Sequence, residues 1–305
     1  MSVSNNNKTP SSNNNQPAQA RKVKRWLIIS LFISAWLLLI SSANEPSTEL
    51  IDYSLFSLLG VIGAIFANST GAGGGVIFIP MFNQLNFSEA QAVATSFAIQ
   101  CFGMTAGATT WYLHYKREKT ELRLWQGFKR IIVVGSITSI IGLWFIYGNQ
   151  ITPPASLHFS FSWFSLVLGL FIIATVFWAK PHRERSQLHW GDLLALAVIG
   201  LVGGGITAWL SVGVGEIIAI YLIVRRFDIN MAVATAVIIS AFTVWAAISQ
   251  HTLIAPSVVY PVVVFAGPAA ILGGIFAKVL VTHLSATRLK LFFATWLLVI
   301  GFVGI

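Results

Sequence analysis

"NSTGAGGGVIFIP", residues 68–80, places four glycines within five positions, followed by Pro80, inside a stretch otherwise apolar enough to live in lipid. Each glycine costs a helix interior about 1 kcal/mol relative to alanine, so a helix that runs into this cluster is expected to break there. A second cluster, "GGGITAWLSVGVGE" at residues 203–216, lies in an equally apolar setting. The apolar segments that hold the clusters, near 54–87 and 191–224, would each reach about 50 Å as straight helices, against ~30 Å of hydrocarbon. Both therefore read as broken or re-entrant helices.

The rest of the chain fits that setting. Its 305 residues are 56% hydrophobic and 10% charged, with a mean hydropathy of +0.77. Apolar segments recur near 89–115, 128–148, 160–179, 230–250, 257–282 and 288–305, which makes the chain an all-α integral membrane protein with the lipid bilayer as its solvent. A net charge of +9 does not point to nucleic acid, because the 19 Lys and Arg come in short clusters between apolar runs, as orientation signals do. The single cysteine, Cys101, excludes an internal disulfide and a multi-cysteine metal site.

Residues 1–25 read as a disordered cytoplasmic tail ending in "RKVKR", and 26–43 as an N-terminal transmembrane helix, either a signal anchor or a signal removed near Ser41 and Ala43. If 54–87 and 191–224 both dip in and return, every Lys and Arg falls on the cytoplasmic side, with the N-terminus. The outer loops are then "NEPSTELIDY", "GNQITPPASLHFS" and "HTLIAPSV", which hold no Lys or Arg. If instead both segments span, the basic loop "KREKTELRLWQGFKR" lands on the opposite side and the rule is locally broken.

An internal repeat favours the first topology. A shift of 140 residues lays "AVAT" at 92–95 on "AVAT" at 232–235, and Gly60, Gly63, Gly73, Gly75 and Phe87 on Gly200, Gly203, Gly213, Gly215 and Phe227. A weaker echo at 132 pairs Gly135 and Gly142 with Gly267 and Gly274. The expected fold is two inverted repeats, 54–180 and 191–305, each a broken helix plus three transmembrane helices. With the N-terminal helix this gives about seven full crossings plus two broken helices, or eight to nine crossings if the broken ones span.

"GAGGGVIFIPMF" followed by "AVATSF", with a degenerate copy in the second half, resembles the sulfite exporter TauE/SafE family of membrane permeases over residues 54–305. The second copy departs from the family pattern, reading "SVGVGEIIAIYL" where a glycine-rich motif ending in proline is usual. The resemblance implies a secondary transporter of small sulfur-containing or organic anions, of the sulfite or sulfonate kind, in a bacterial inner membrane. An uncoupled anion channel and an intramembrane assembly factor are the alternatives.

The residues themselves suggest where such an anion would sit. A glycine run at membrane depth exposes N–H groups that lipid leaves unsatisfied, and a helix resuming near Gly74 or Gly75 aims its free donors and positive dipole end at the break. The candidate anion site is accordingly Ser69, Thr70, Gly71, Gly73, Gly74 and Gly75, with Thr95, Ser96 and Thr235 from crossing helices and Gly213 and Gly215 at the second break. The same glycines also suit close helix packing. Glu216, an acid well inside an apolar run, is the candidate proton-coupling residue, with a helix cap or a partner for Arg225 or Arg226 as its plainer roles. His114, His251 and His283 fall near helix ends and read as interfacial, and tryptophans 26, 111, 125, 163, 190 and 296 as an aromatic belt. No nucleophile, carboxylate pair or phosphate loop stands in a plausible context, so no enzyme, cofactor or metal is expected.

Overall fold

The computed structural model describes residues 16–41, 51–117, 123–178, 187–283 and 286–303, so the readings of residues 1–15 and 42–50 lie outside it. The chain divides into two units, Met1–Leu50 and Ile51–Ile305. The described residues of the first form a helix, α1 (Gln16–Ser41), which begins well before Trp26 and takes in the basic cluster. The tail was expected to be disordered to residue 25. The apolar run instead carries its helix back through Gln, Ala, Arg and Lys, all good helix formers.

In the second unit the helices are α2 (Phe56–Thr70), α3 (Gly75–Gln84), α4 (Glu89–Arg117), α5 (Phe128–Gly148), α6 (Leu157–Trp178), α7 (Trp190–Leu210), α8 (Val214–Val224), α9 (Ile229–Ser249), α10 (Tyr260–His283) and α11 (Ala286–Val303). A π turn, Gln250–Ile254, ends α9. The described residues contain no strand. Among the described residues, six stretches are long and apolar enough to cross a bilayer: Ile51–Thr70, Phe128–Gly148, Leu157–Ala174, Trp190–Leu210, Ile229–Ile254 and Tyr260–His283. Large apolar side chains such as Phe145, Val167, Val198 and Phe276 are exposed on these helices, as a lipid-facing surface requires.

Both long segments break where the glycines lie and fold into hairpins. After the break α3 doubles back along α2, bringing the Phe82 ring to 6.3 Å from Phe56 at the other end of the hairpin. In the second hairpin the end of α8 returns to the start of α7. There the buried Asp192 caps α7 by accepting the His189 N–H at 3.0 Å. It also takes hydrogen bonds from Tyr221 Oη at 3.0 Å and Arg225 Nε at 2.8 Å. The hydrogen bond to Asp192 pushes the Arg225 pKa above its already high value.

Backbone detail recurs at the spacing of 140. Gly71 (φ 82°) and Ser211 (φ 58°) both end the first arm in the left-handed region. Their N–H groups close on Ala67 and Thr207 carbonyls at 3.0 and 2.9 Å. Asn86 (φ 59°) and Arg226 (φ 66°) end the second arms, and the next N–H groups, of Phe87 and Phe227, reach the Phe82 and Leu222 carbonyls at 3.0 Å each. Only glycine adopts this backbone region without cost, so three non-glycine residues there mark turns fixed by their surroundings.

Helix packing is crossed between the halves. α2 lies on α10 and α7 on α5, while α4 and α9 pack on each other and line the centre. In lipid there is no hydrophobic drive between helices, so contact depends on close backbone approach. A Cβ on Gly60 would collide with the Ala266 carbonyl, and one on Gly142 with the Leu201 carbonyl. Two tryptophans assigned to the belt prove internal: Trp111 is fully buried with its Nε1–H donated to the Asn68 carbonyl, and Trp125 is buried against Phe128. Next to a basic loop, the indole finds its partner in the bundle rather than at the interface.

Candidate functional site

The two breaks touch at the centre of the bundle. A Cβ on Gly75 would lie 2.6 Å from the Ser211 carbonyl oxygen, and one on Gly215 would collide with the Gly71 carbonyl oxygen and Ser240 Oγ. Since Gly75 and Gly215, and likewise Gly71 and Ser211, are 140 residues apart, the contact is reciprocal. Each hairpin sets the start of its second arm against the left-handed turn of the other. Only bare backbone permits this approach.

Glu216 joins the breaks. It sits in the first turn of α8, fully buried. Its Oε2 accepts the Gly213 N–H at 2.8 Å and so caps its own helix. Its Oε1 accepts the Gly73 N–H, also at 2.8 Å, across 143 residues of sequence. Two helix N-termini, each with free N–H groups and the positive end of a dipole, thus share one carboxylate. Arg225 pairs with Asp192 at the far end of α8, not with Glu216.

Gln100 completes the first break. Buried on α4, it accepts the Gly74 N–H on Oε1 at 2.7 Å. Its Nε2 donates to Ser96 Oγ at 3.0 Å and to Ser211 Oγ at 2.8 Å, and Ser211 Oγ lies 3.0 Å from Ser96 Oγ. In the second half Ser240 stands 140 residues after Gln100. It is 3% exposed, lies against Gly215, and among the described residues its Oγ has no hydrogen-bond partner. The Val214 N–H there is taken instead by Thr207 Oγ1 at 3.0 Å.

The structure thus brings together Gly71, Gly73, Gly74, Gly75, Ser96, Gly213, Gly215 and Glu216. The other hydroxyls have partners away from the break. Ser69 and Thr70 donate to the Phe66 carbonyl at 3.1 and 2.8 Å, and Thr70 Oγ1 also accepts the Ala72 N–H. Thr235 donates to the Met231 carbonyl at 2.6 Å, and Thr95 accepts the Val259 N–H at 3.0 Å at the start of α10. Sequence reasoning missed Gln100, Ser211 and Ser240. For Gln100 the signal was present: an amide four residues after Ser96, well inside an apolar helix, needs a partner on that face. Ser211 had the weaker clue of standing where the first repeat has Gly71.

Further along α4, Phe97 stacks on the His251 ring at 5.2 Å, and His251 Nε2 is 3.0 Å from Tyr147 Oη. His251 belongs to the π turn that ends α9, at a helix end as expected, and is half-buried. A π turn commonly marks a functional position because it re-aims one side chain. Among the described residues no three His, Cys, Asp or Glu side chains group as metal ligands.

Backbone N–H groups of both breaks donate to the Glu216 carboxylate, and burial strengthens each such bond. A family model described as Sulfite exporter TauE/SafE matches residues 55–303. No curated protein and no solved structure matches the chain.

Proposed function

The chain belongs to the sulfite exporter TauE/SafE family of membrane permeases, and from that premise we propose that it is a secondary transporter of small sulfur-containing or organic anions. The transport site in this reading is the meeting of the two breaks. The observation that carries it is the Glu216 carboxylate, held by N–H groups of both hairpins: the backbone there already coordinates an oxyanion. Neutral donors suit a carrier, since release requires binding that is not too tight.

The two hairpins enter from opposite faces of an inner membrane as inverted repeats, with the N-terminus cytoplasmic. The reciprocal contact of Gly75 with Ser211 and Gly215 with Gly71 supports this, as does the crossed packing of α2 on α10 and α7 on α5. Glu216 is the coupling residue. Ionised, it claims the Gly73 and Gly213 N–H groups; protonated, it holds them weakly and leaves them to the substrate. Proton and anion therefore bind together, and each raises the other's affinity by the same factor. Purified protein in proteoliposomes should move sulfite in response to an imposed pH gradient, with saturation. Sulfite flux equal to that of protein-free vesicles at every gradient would overturn the transport reading.

A further inference from the structure

Glu216 is coordinated as a bound ligand would be. Its two oxygens are taken separately, Oε1 by Gly73 from the first hairpin and Oε2 by Gly213 from the second, each at 2.8 Å. The side chain is fully buried, and among the described residues the groups that donate to it are backbone N–H groups. We infer that this carboxylate is a tethered stand-in for the transported anion, filling in the closed protein the place that the substrate's head group takes once the side chain swings away. The inference rests on the reading that the breaks form the transport site, and it adds a substrate class. Because donors from opposite hairpins meet two oxygens on one carbon, the ligand must carry at least two oxygens on one central atom. Sulfite, sulfonates and carboxylates meet that condition; halides do not. The unpartnered Ser240 hydroxyl, against Gly215, is the donor available to a third oxygen.

Removing the tether should turn the stand-in's place into an open receptor. In Glu216→Ala the Gly73 and Gly213 N–H groups lose their acceptor beside a carboxylate-sized space, and a small oxyanion from solution can restore both bonds. The purified variant should melt below wild type. Formate and sulfite should each raise its melting temperature with saturation, and more than they raise that of wild type, while chloride at matched ionic strength does not. A folded Glu216→Ala whose melting temperature ignores formate and sulfite, or rises equally with chloride, would overturn the inference. If that variant does not fold, Glu216→Gln serves. Its amide competes less well for the N–H groups, so calorimetry should show tighter sulfite binding than wild type, and equal or weaker binding contradicts the inference. Wild-type sulfite flux is read separately: flux without rescue places the site elsewhere, and rescue without flux leaves an anion site in a protein that does not transport.

Discussion

At the scale of single residues, the glycines and the carboxylate serve one geometry. Gly215 is small because the Gly71 carbonyl of the other hairpin stands where its Cβ would be, and that approach brings the Gly73 N–H within reach of Glu216. Gly215→Ala should therefore destabilise the protein by about 1–3 kcal/mol, the usual cost of overpacking. Gly191→Ala, where nothing lies within 4 Å of the new methyl, should be near neutral, and thermal melts of the two variants in the same detergent test the contrast. The sequence made the glycine clusters and the lone acid visible because both are improbable in lipid. It could not show which donors Glu216 takes, since one of them is 143 residues away and neutral. Gln100 stayed hidden for a similar reason: the same amide on the same helix would look no different facing a neighbouring carbonyl.

At the scale of elements, the hairpins follow from arithmetic on segment length, glycine position and charge, and the structure closes them with contacts that arithmetic does not contain. Asp192 at the start of α7 holds Tyr221 and Arg225 at the end of α8, with Arg225 itself well exposed. Only the Arg225 end of that pair reaches water, and asparagine keeps an oxygen for Tyr221 while losing the charge, so Asp192→Asn should lower stability by about 1 kcal/mol. The effect should be local. Amide hydrogen exchange at Leu222–Phe227 should quicken about fivefold, the factor for 1 kcal/mol, while α2 and α3 are unaffected. Equal quickening in both hairpins would mean that Asp192 supports the whole bundle instead. The shift of 140 was legible from the glycines, the repeated "AVAT" and the Phe87–Phe227 pair, and it carries through to the left-handed turns at Gly71 and Ser211 and at Asn86 and Arg226. The tryptophans were less legible, because proximity to a basic loop places a residue along the membrane normal without saying whether it faces lipid or protein.

At the scale of the whole molecule, two hairpins, each resting on a helix of the other half, meet through a single shared carboxylate. That asymmetric addition, with Val76 at the equivalent position of the first half, gives an otherwise reciprocal centre one titratable group. In the proposed mechanism a proton on Glu216 and an anion at the N–H groups form one neutralised load, carried across together or not at all. Glu216→Gln separates these states because its side chain is permanently uncharged. Wild type and Glu216→Gln are to be compared in matched proteoliposomes, measuring both sulfite exchange between preloaded compartments and net sulfite flux driven by a pH gradient. The variant should keep exchange and lose the gradient-driven flux. Full gradient-driven flux in Glu216→Gln would contradict the account and leave Glu216 as a helix cap.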